Sequence, residues 1–243
     1  MLFEYISRYL TLKAILFILL ELPSQLKTII YKYLGYGLPK NVFCISKENL
    51  NVVDFTKIKK QSILCFHGSS SSSYQWRVML PELEKTFPNY SIILLDFGTE
   101  DLCFEDYLQF IKNVLGGMEY EPSHFIGVSM GGVLASITAE KLCKFHKIVI
   151  TINSPLRGAP ALEFLPCMYK RYSDMKPSSK TIKELFELFE KSTNKYICIT
   201  TKDDIQVPEA FAVAPKSIIH SFQGGHNYVI YFPKNIWCKV IQN

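Results

Sequence analysis

From residue 41 onward, short apolar runs alternate with longer amphipathic ones, and this alternation constrains the fold more than any other property of the chain. Residues 61–66, 90–97, 123–128, 147–153, 195–200 and 217–222 are rich in β-branched and aromatic side chains and read as strands, several apolar enough for burial on both faces. Between them, residues 74–87, 104–115, 131–143, 181–191, 207–214 and 233–241 read as helices. In 181–191, Thr181 and Glu184 have the spacing of a capping box, and Ile182, Leu185, Phe186 and Phe189 recur at i, i+3, i+4 and i+7. Strand–helix–strand units close through right-handed crossovers, so the expected fold class is α/β, a mostly parallel central sheet flanked by helices. Residues 42–45 and 52–55, separated by Lys47, Glu48 and Asn49, predict an antiparallel hairpin ahead of the parallel part.

The 243 residues suit one large core, and a hydrophobic content of 48% with 17 Phe and 14 Tyr excludes wholesale disorder and low-complexity architectures. A net charge of +5, scattered along the chain, does not make the clustered basic groove of a nucleic-acid binder. The seven cysteines (Cys44, Cys65, Cys103, Cys143, Cys167, Cys198, Cys238) form no CxxC and are odd in number, which argues against a disulfide framework or a structural zinc and for a reducing, intracellular compartment. Cys65 and Cys198 fall in apolar runs where a free thiol packs as a small hydrophobe.

Residues 1–38 stand apart. Glu4, Arg8, Lys13 and Glu21 interrupt an apolar first segment whose longest clean run, residues 14–20, is far below the roughly 20 residues of a membrane-spanning helix. Residues 26–36 set Lys27 and Lys32 among Ile29, Ile30, Tyr31, Tyr33 and Leu34. Both stretches predict an amphipathic helical extension that either lies at a lipid interface, making residues 1–36 a peripheral membrane contact, or packs on the core. Gly35, Gly37 and Pro39 mark its end, with the second domain spanning residues 39–243.

Chemistry enters where the strands end. The strand at 123–128 runs into Gly127-Val128-Ser129-Met130-Gly131-Gly132, a G-x-S-x-G pattern at a strand-to-helix junction. Glycines two positions either side of Ser129 allow the sharp turn that lifts a serine hydroxyl above the sheet edge at a helix N-terminus. A hydroxyl needs a base and an orienting carboxylate before it becomes a nucleophile. The strand at 195–200 ends in Asp203-Asp204, and the strand at 217–222 ends in Gly224-Gly225-His226. His124, His146 and His220 lie at or within strands and read as structural. The strand at 61–66 ends in His67-Gly68-Ser69, from which the Ser69 N–H, with that of Met130, is the expected oxyanion donor pair; His67 reads as a support for that loop.

His67-Gly68 with Trp76 beyond it, Gly127-x-Ser129-x-Gly131-Gly132, Asp204 followed by Val207-Pro208, and Gly225-His226 occur in one order, and with them the chain resembles the α/β-hydrolase superfamily from about residue 40 to the end. The resemblance implies an α/β-hydrolase fold, a catalytic triad of Ser129, Asp204 and His226, no cofactor, and a preference for Asp204 over Asp203 because the superfamily's acid loop often reads Asp-x-x-Val-Pro. Asn153-Ser154-Pro155-Leu156-Arg157-Gly158 is similar to the Thr-Pro-His-x-Gly stretch of many lipases and esterases, with Leu156 and Arg157 departing from it. Residues 156–177 are apolar with interspersed basic residues and predict a small lid. The expected function is a serine hydrolase of carboxylic esters, lipase- or esterase-like. The open alternatives are an acyl-thioesterase and a catalytically silent fold that binds a lipid or a partner. Serine at the elbow disfavours the dehalogenase and epoxide hydrolase readings, which the resemblance associates with Asp there.

Overall fold

The computed structural model describes residues 38–69, 71–98, 101–164, 169–227 and 229. Seven strands form one sheet: β1 (Val42–Ser46), β2 (Ser62–Phe66), β3 (Ser91–Asp96), β4 (His124–Val128), β5 (Ile148–Ile152), β6 (Lys195–Thr201) and β7 (Ile218–Phe222). Their order is β1-β3-β2-β4-β5-β6-β7, and every one of these pairings is parallel. The helices are α1 (Leu80–Thr86), α2 (Phe104–Gly117), α3 (Met130–Lys141), α4 (Ala161–Phe164), α5 (Lys170–Asp174) and α6 (Lys180–Lys191).

The apolar runs are continuous because successive side chains of a strand point to opposite faces and both faces are covered. Leu64, Phe66, Ile93, Leu95 and Phe125 enter one core with Ile111 of α2, Val133 of α3 and Leu185 of α6. Ile63, Cys65, Ile92, Leu94 and Ile126 enter the other with Trp76 and with Leu80 and Leu83 of α1. Helix α3 is buried along its length from Met130 to Ala139, which explains why its sequence is apolar all round rather than striped. The burial expected of Cys65 and Cys198 is complete.

The strand order reverses between β2 and β4. Strand β2 lies between β3 and β4, with Phe66 opposite both Leu95 and Gly127. The chain leaves the carboxyl ends of β2 and β4 side by side, and such a reversal opens a crevice where α/β sheets bind ligands.

Four local expectations are corrected. The predicted antiparallel hairpin is absent: β1 pairs parallel with β3, and residues 50–52 and 55–57 form 3₁₀ turns. Asn49 ends β1 by folding back on it, its Oδ1 accepting from Ser46 N (2.8 Å) and its Nδ2 donating to the Cys44 carbonyl (2.9 Å). Asp54 caps the second turn through the Thr56 N–H, and Val52 is left exposed, so no second strand forms. The helix expected over 207–214 is a 3₁₀ turn at Glu209–Phe211, and that over 74–87 is a 3₁₀ segment, Ser73–Val78, leading into α1 at Pro81. The cap of α6 is Ser179, whose Oγ accepts from Ile182 N (3.2 Å); Thr181 instead donates to Asp174 Oδ1 (3.2 Å), and Glu184 pairs with Lys141 (2.7 Å). Of the extension predicted over 1–38, all but Leu38, which is not helical, lies outside the described residues, as does the helix predicted over 233–241.

The predicted lid region, residues 156–177, is an excursion pinched at its base. Ala159 N donates to the Met175 carbonyl (2.8 Å), and a side chain at Gly158, whose φ is +83°, would collide with Pro177. Helices α5 and α2 are capped reciprocally: Asp101 accepts from Lys170 N (2.9 Å) and Asp174 accepts from Phe104 N (2.8 Å). Among the described residues no helix is long and apolar enough to cross a membrane.

Candidate active site

Ser129 sits between β4 and α3 with φ 51° and ψ −123°, a sparsely populated conformation that persists only where the surroundings over-determine it. Its amide donates to the Ile152 carbonyl at the end of β5 (2.8 Å) and its carbonyl accepts from Gly132 N (3.0 Å). The neighbouring glycines are required by crowding. A Cβ at Gly127 would collide with the Gly131 carbonyl, one at Gly131 with the Phe66 carbonyl, and one at Gly132 with the Ser154 hydroxyl. The turn therefore packs directly on the end of β2, as the G-x-S-x-G spacing predicts.

Asp204 lies just past β6 and its side chain is fully buried. Oδ1 accepts from Gln206 N (2.9 Å) and Val207 N (2.9 Å), and Oδ2 receives His226 Nδ1 at 2.6 Å. Three donors on one carboxylate fix its rotamer and its orientation toward the histidine. With Nδ1–H committed to Asp204, the neutral ring of His226 carries its free lone pair on Nε2. Asp203 is used differently: its amide and carboxylate tie to the Gly224 carbonyl (3.2 Å) and amide (3.3 Å), joining the two loops from the exposed side. The structure thus pairs Asp204, not Asp203, with the histidine.

The backbones of Ser129 and His226 are held by consecutive residues. Ile152 O takes the Ser129 amide, and Asn153 Nδ2 donates to the His226 carbonyl (2.5 Å). Asn153 has φ 45°, a left-handed conformation that asparagine tolerates, and it is buried. In the sequence, the signal for this role is an Asn closing an apolar strand, where a left-handed turn residue is favoured.

His67 is buried and structural, as predicted. Its Nε2 accepts from Phe97 N (3.1 Å), so Nδ1 carries the proton and donates to the Gly68 carbonyl (2.8 Å). Burial lowers its pKa and keeps the ring neutral. The Cβ position of Gly68 is 3.5 Å from Ser129 Cβ, which brings the loop carrying Ser69 against the serine. The Ser69 hydroxyl is buried with no hydrogen bond among the described residues. Met130 is the first residue of α3, where an amide has no intrahelical acceptor. Asp96, at the end of β3, went unnoticed in the sequence. Burial pushes its pKa up, but hydrogen bonds from Ser73 and the nearby His67 hold it below the ordinary carboxylate value. A groove of about 1090 Å³ opens at the amino ends of the strands, beside Lys60, Tyr120 and Lys144, at the opposite edge of the sheet from Ser129.

A sequence profile described as the alpha/beta hydrolase family matches residues 63–228, more than half of the chain, from the second residue of β2 to beyond His226. The chain belongs to the α/β hydrolase family. Among solved structures, this hydrolase superposes on the monoacylglycerol lipase of Paleococcus ferrophilus with a TM-score of 0.58 and 13% identity, covering 74% of this chain and 94% of that one. It also superposes on a meta-cleavage product hydrolase from Pseudomonas fluorescens (TM-score 0.55, 17% identity, 75% and 89% covered) and on an esterase of Pyrococcus furiosus (0.53, 16%, 76% and 82%). At such identities these likenesses establish the shared fold. An uncharacterized hydrolase of Bacillus subtilis is 22% identical over 123 residues, covering 48% of this chain and 45% of that protein, so the match spans less than half the relative's length.

Proposed function

We propose that this α/β hydrolase cleaves carboxylic esters through Ser129, His226 and Asp204 by way of an acyl-enzyme. The observation that carries the reading is the buried 2.6 Å bond between His226 Nδ1 and Asp204 Oδ2, which directs the basic Nε2 of a histidine whose backbone is anchored beside that of Ser129. Ser129 Oγ attacks the ester carbonyl while its proton passes to Nε2. The carbonyl oxygen becomes an oxyanion facing the amides of Ser69 and Met130. As the C–O bond breaks, Nε2 returns the proton to the leaving alcohol, and the acyl group remains on Ser129. Water, deprotonated by the same nitrogen, then releases the acid. Lipases and esterases among the fold's relatives support the ester class, and the apolar excursion between β5 and α6 suits a flap over an acyl chain.

A chain-length series of nitrophenyl esters tests this. Full-length protein is expected to give a burst of nitrophenol stoichiometric with enzyme, followed by slower turnover, the signature of an accumulating acyl-enzyme. No turnover across the series would favour the silent lipid- or partner-binding alternative.

The amino-terminal extension is proposed to dock the enzyme on anionic membranes without spanning them, through Lys13, Lys27 and Lys32 beside bulky apolar residues. Each basic residue near such a surface contributes about 1 kcal/mol, screened by salt. Deleting the residues before Pro39 is expected to abolish co-sedimentation with phosphatidylserine vesicles at low salt while a soluble short-chain ester is still hydrolysed. Unfolding of the truncated protein, with the full-length chain ignoring the vesicles, would assign the extension to the core.

A further inference from the structure

Between β2 and α1 the chain carries a buried glutamine that the proposed mechanism does not yet use. Gln75 lies in the 3₁₀ segment Ser73–Val78, is 6% exposed, and accepts the Gly68 amide on Oε1 at 3.0 Å. The next peptide group is held from the other side: the Gly68 carbonyl receives His67 Nδ1 (2.8 Å) and Ser71 N (3.3 Å). Each peptide group is planar and trans, so its N–H points opposite to its C=O. Pinning the Gly68 carbonyl on His67 therefore aims the Ser69 N–H away from His67. Glycine restricts its own torsions least of all residues, so the plane preceding Gly68 needs a separate restraint, and Gln75 supplies it.

The glutamine is itself immobilised from both sides. Ser73 donates its amide (3.1 Å) and hydroxyl (2.6 Å) to Asp96 Oδ2, fixing the start of the segment on the end of β3. Trp76, fully buried in the core, fixes the residue that follows. The Gly68 Cβ position is 3.8 Å from Gln75 Oε1 and 3.5 Å from Ser129 Cβ, so the restraint acts beside the reacting serine.

Resting on the ester-hydrolase reading, we infer that Gln75 is a positioning residue for the oxyanion hole: it orients the Ser69 amide toward the oxygen that becomes negative in the transition state, and Asp96 holds Gln75 in place through Ser73. Gln75 touches no substrate in this account and acts through Gly68. Its effect falls on the transition state, where the charge develops, and not on ground-state binding.

The test is a double-mutant cycle in the full-length protein. Gln75→Met keeps the length of the side chain and removes the acceptor. Ser69→Pro removes the N–H itself at the second position of the 68–71 turn, which suits proline. Losing one oxyanion donor costs about 10² to 10³ in kcat, and misaiming it should cost less. Gln75→Met is therefore expected to lower kcat by about 10- to 100-fold, to weaken inhibition by an alkyl trifluoromethyl ketone in the same ratio, and to leave KM essentially unchanged. In the Ser69→Pro background the further loss from Gln75→Met should largely vanish, because both changes act on one hydrogen bond. If Gln75→Met does not fold, Gln75→Leu carries the same comparison. Unchanged kcat, a rise in KM alone, or losses that multiply across the cycle would overturn the inference while leaving the ester-hydrolase reading intact. Failure of the wild-type protein to react with the ketone or with any ester would instead overturn that reading.

Discussion

Ser129→Ala is expected to lower kcat for a nitrophenyl ester by about 10⁶-fold, the scale seen when the attacking oxygen of a serine triad is removed and only binding and the oxyanion hole remain. The substitution keeps the Cβ, so the strained φ of 51° and the contacts of the elbow are unchanged and the melting temperature should stay near that of the wild type. Steady-state kinetics with the protein at high concentration measures the residual rate. A variant that keeps more than a few per cent of wild-type kcat would place the nucleophile elsewhere.

Asp204→Asn is expected to lower kcat by about 10³- to 10⁴-fold. An amide in place of Oδ2 can present an N–H to Nδ1, which favours the tautomer protonated on Nε2 and so removes the base that Ser129 requires. Asp203→Asn, one residue earlier, alters the exposed tie to Gly224, away from the buried bond to His226, and should change kcat little. The comparison is made with the same ester under kcat conditions. The reverse ranking would assign the acid to Asp203, and indifference to both changes would move the carboxylate to another loop.

The fold was legible where the physics is periodic. Six apolar runs become β2 to β7, since a strand buried on both faces must be apolar throughout, and few other local structures share that pattern. The hairpin failed because β-branched content at 42–45 and 52–55 says nothing about partners, and the side chains of Asn49 and Asp54 compete successfully for backbone groups. The α6 cap shows the same sensitivity: Ser179 and Thr181 are both capable caps, and Thr181 is drawn away by Asp174.

In the site, Ser129, Asp204 and His226 were visible because each follows a strand at its carboxyl end and carries local turn chemistry. The choice between Asp203 and Asp204 came from resemblance alone, and the buried bond to His226 now supplies a physical reason for it. Gln75, Asp96 and Asn153 were not visible. Their partners are 7, 23 and 73 residues away: Gln75 meets Gly68 through the fold of one loop, the pairing of β2 with β3 brings Ser73 to Asp96, and the pairing of β5, β6 and β7 brings His226 to Asn153.

Covalent labelling with a fluorophosphonate probe, followed by peptide mapping by mass spectrometry, shows directly whether Ser129 is the activated nucleophile. The phosphonyl group reports only a serine whose proton is withdrawn by a neighbouring base, independently of which ester is the natural substrate. A single adduct on Ser129 is expected in the wild-type protein and none in Ser129→Ala. An adduct within the serine run at 69–73, or wild-type protein that hydrolyses esters while remaining unlabelled, would contradict it.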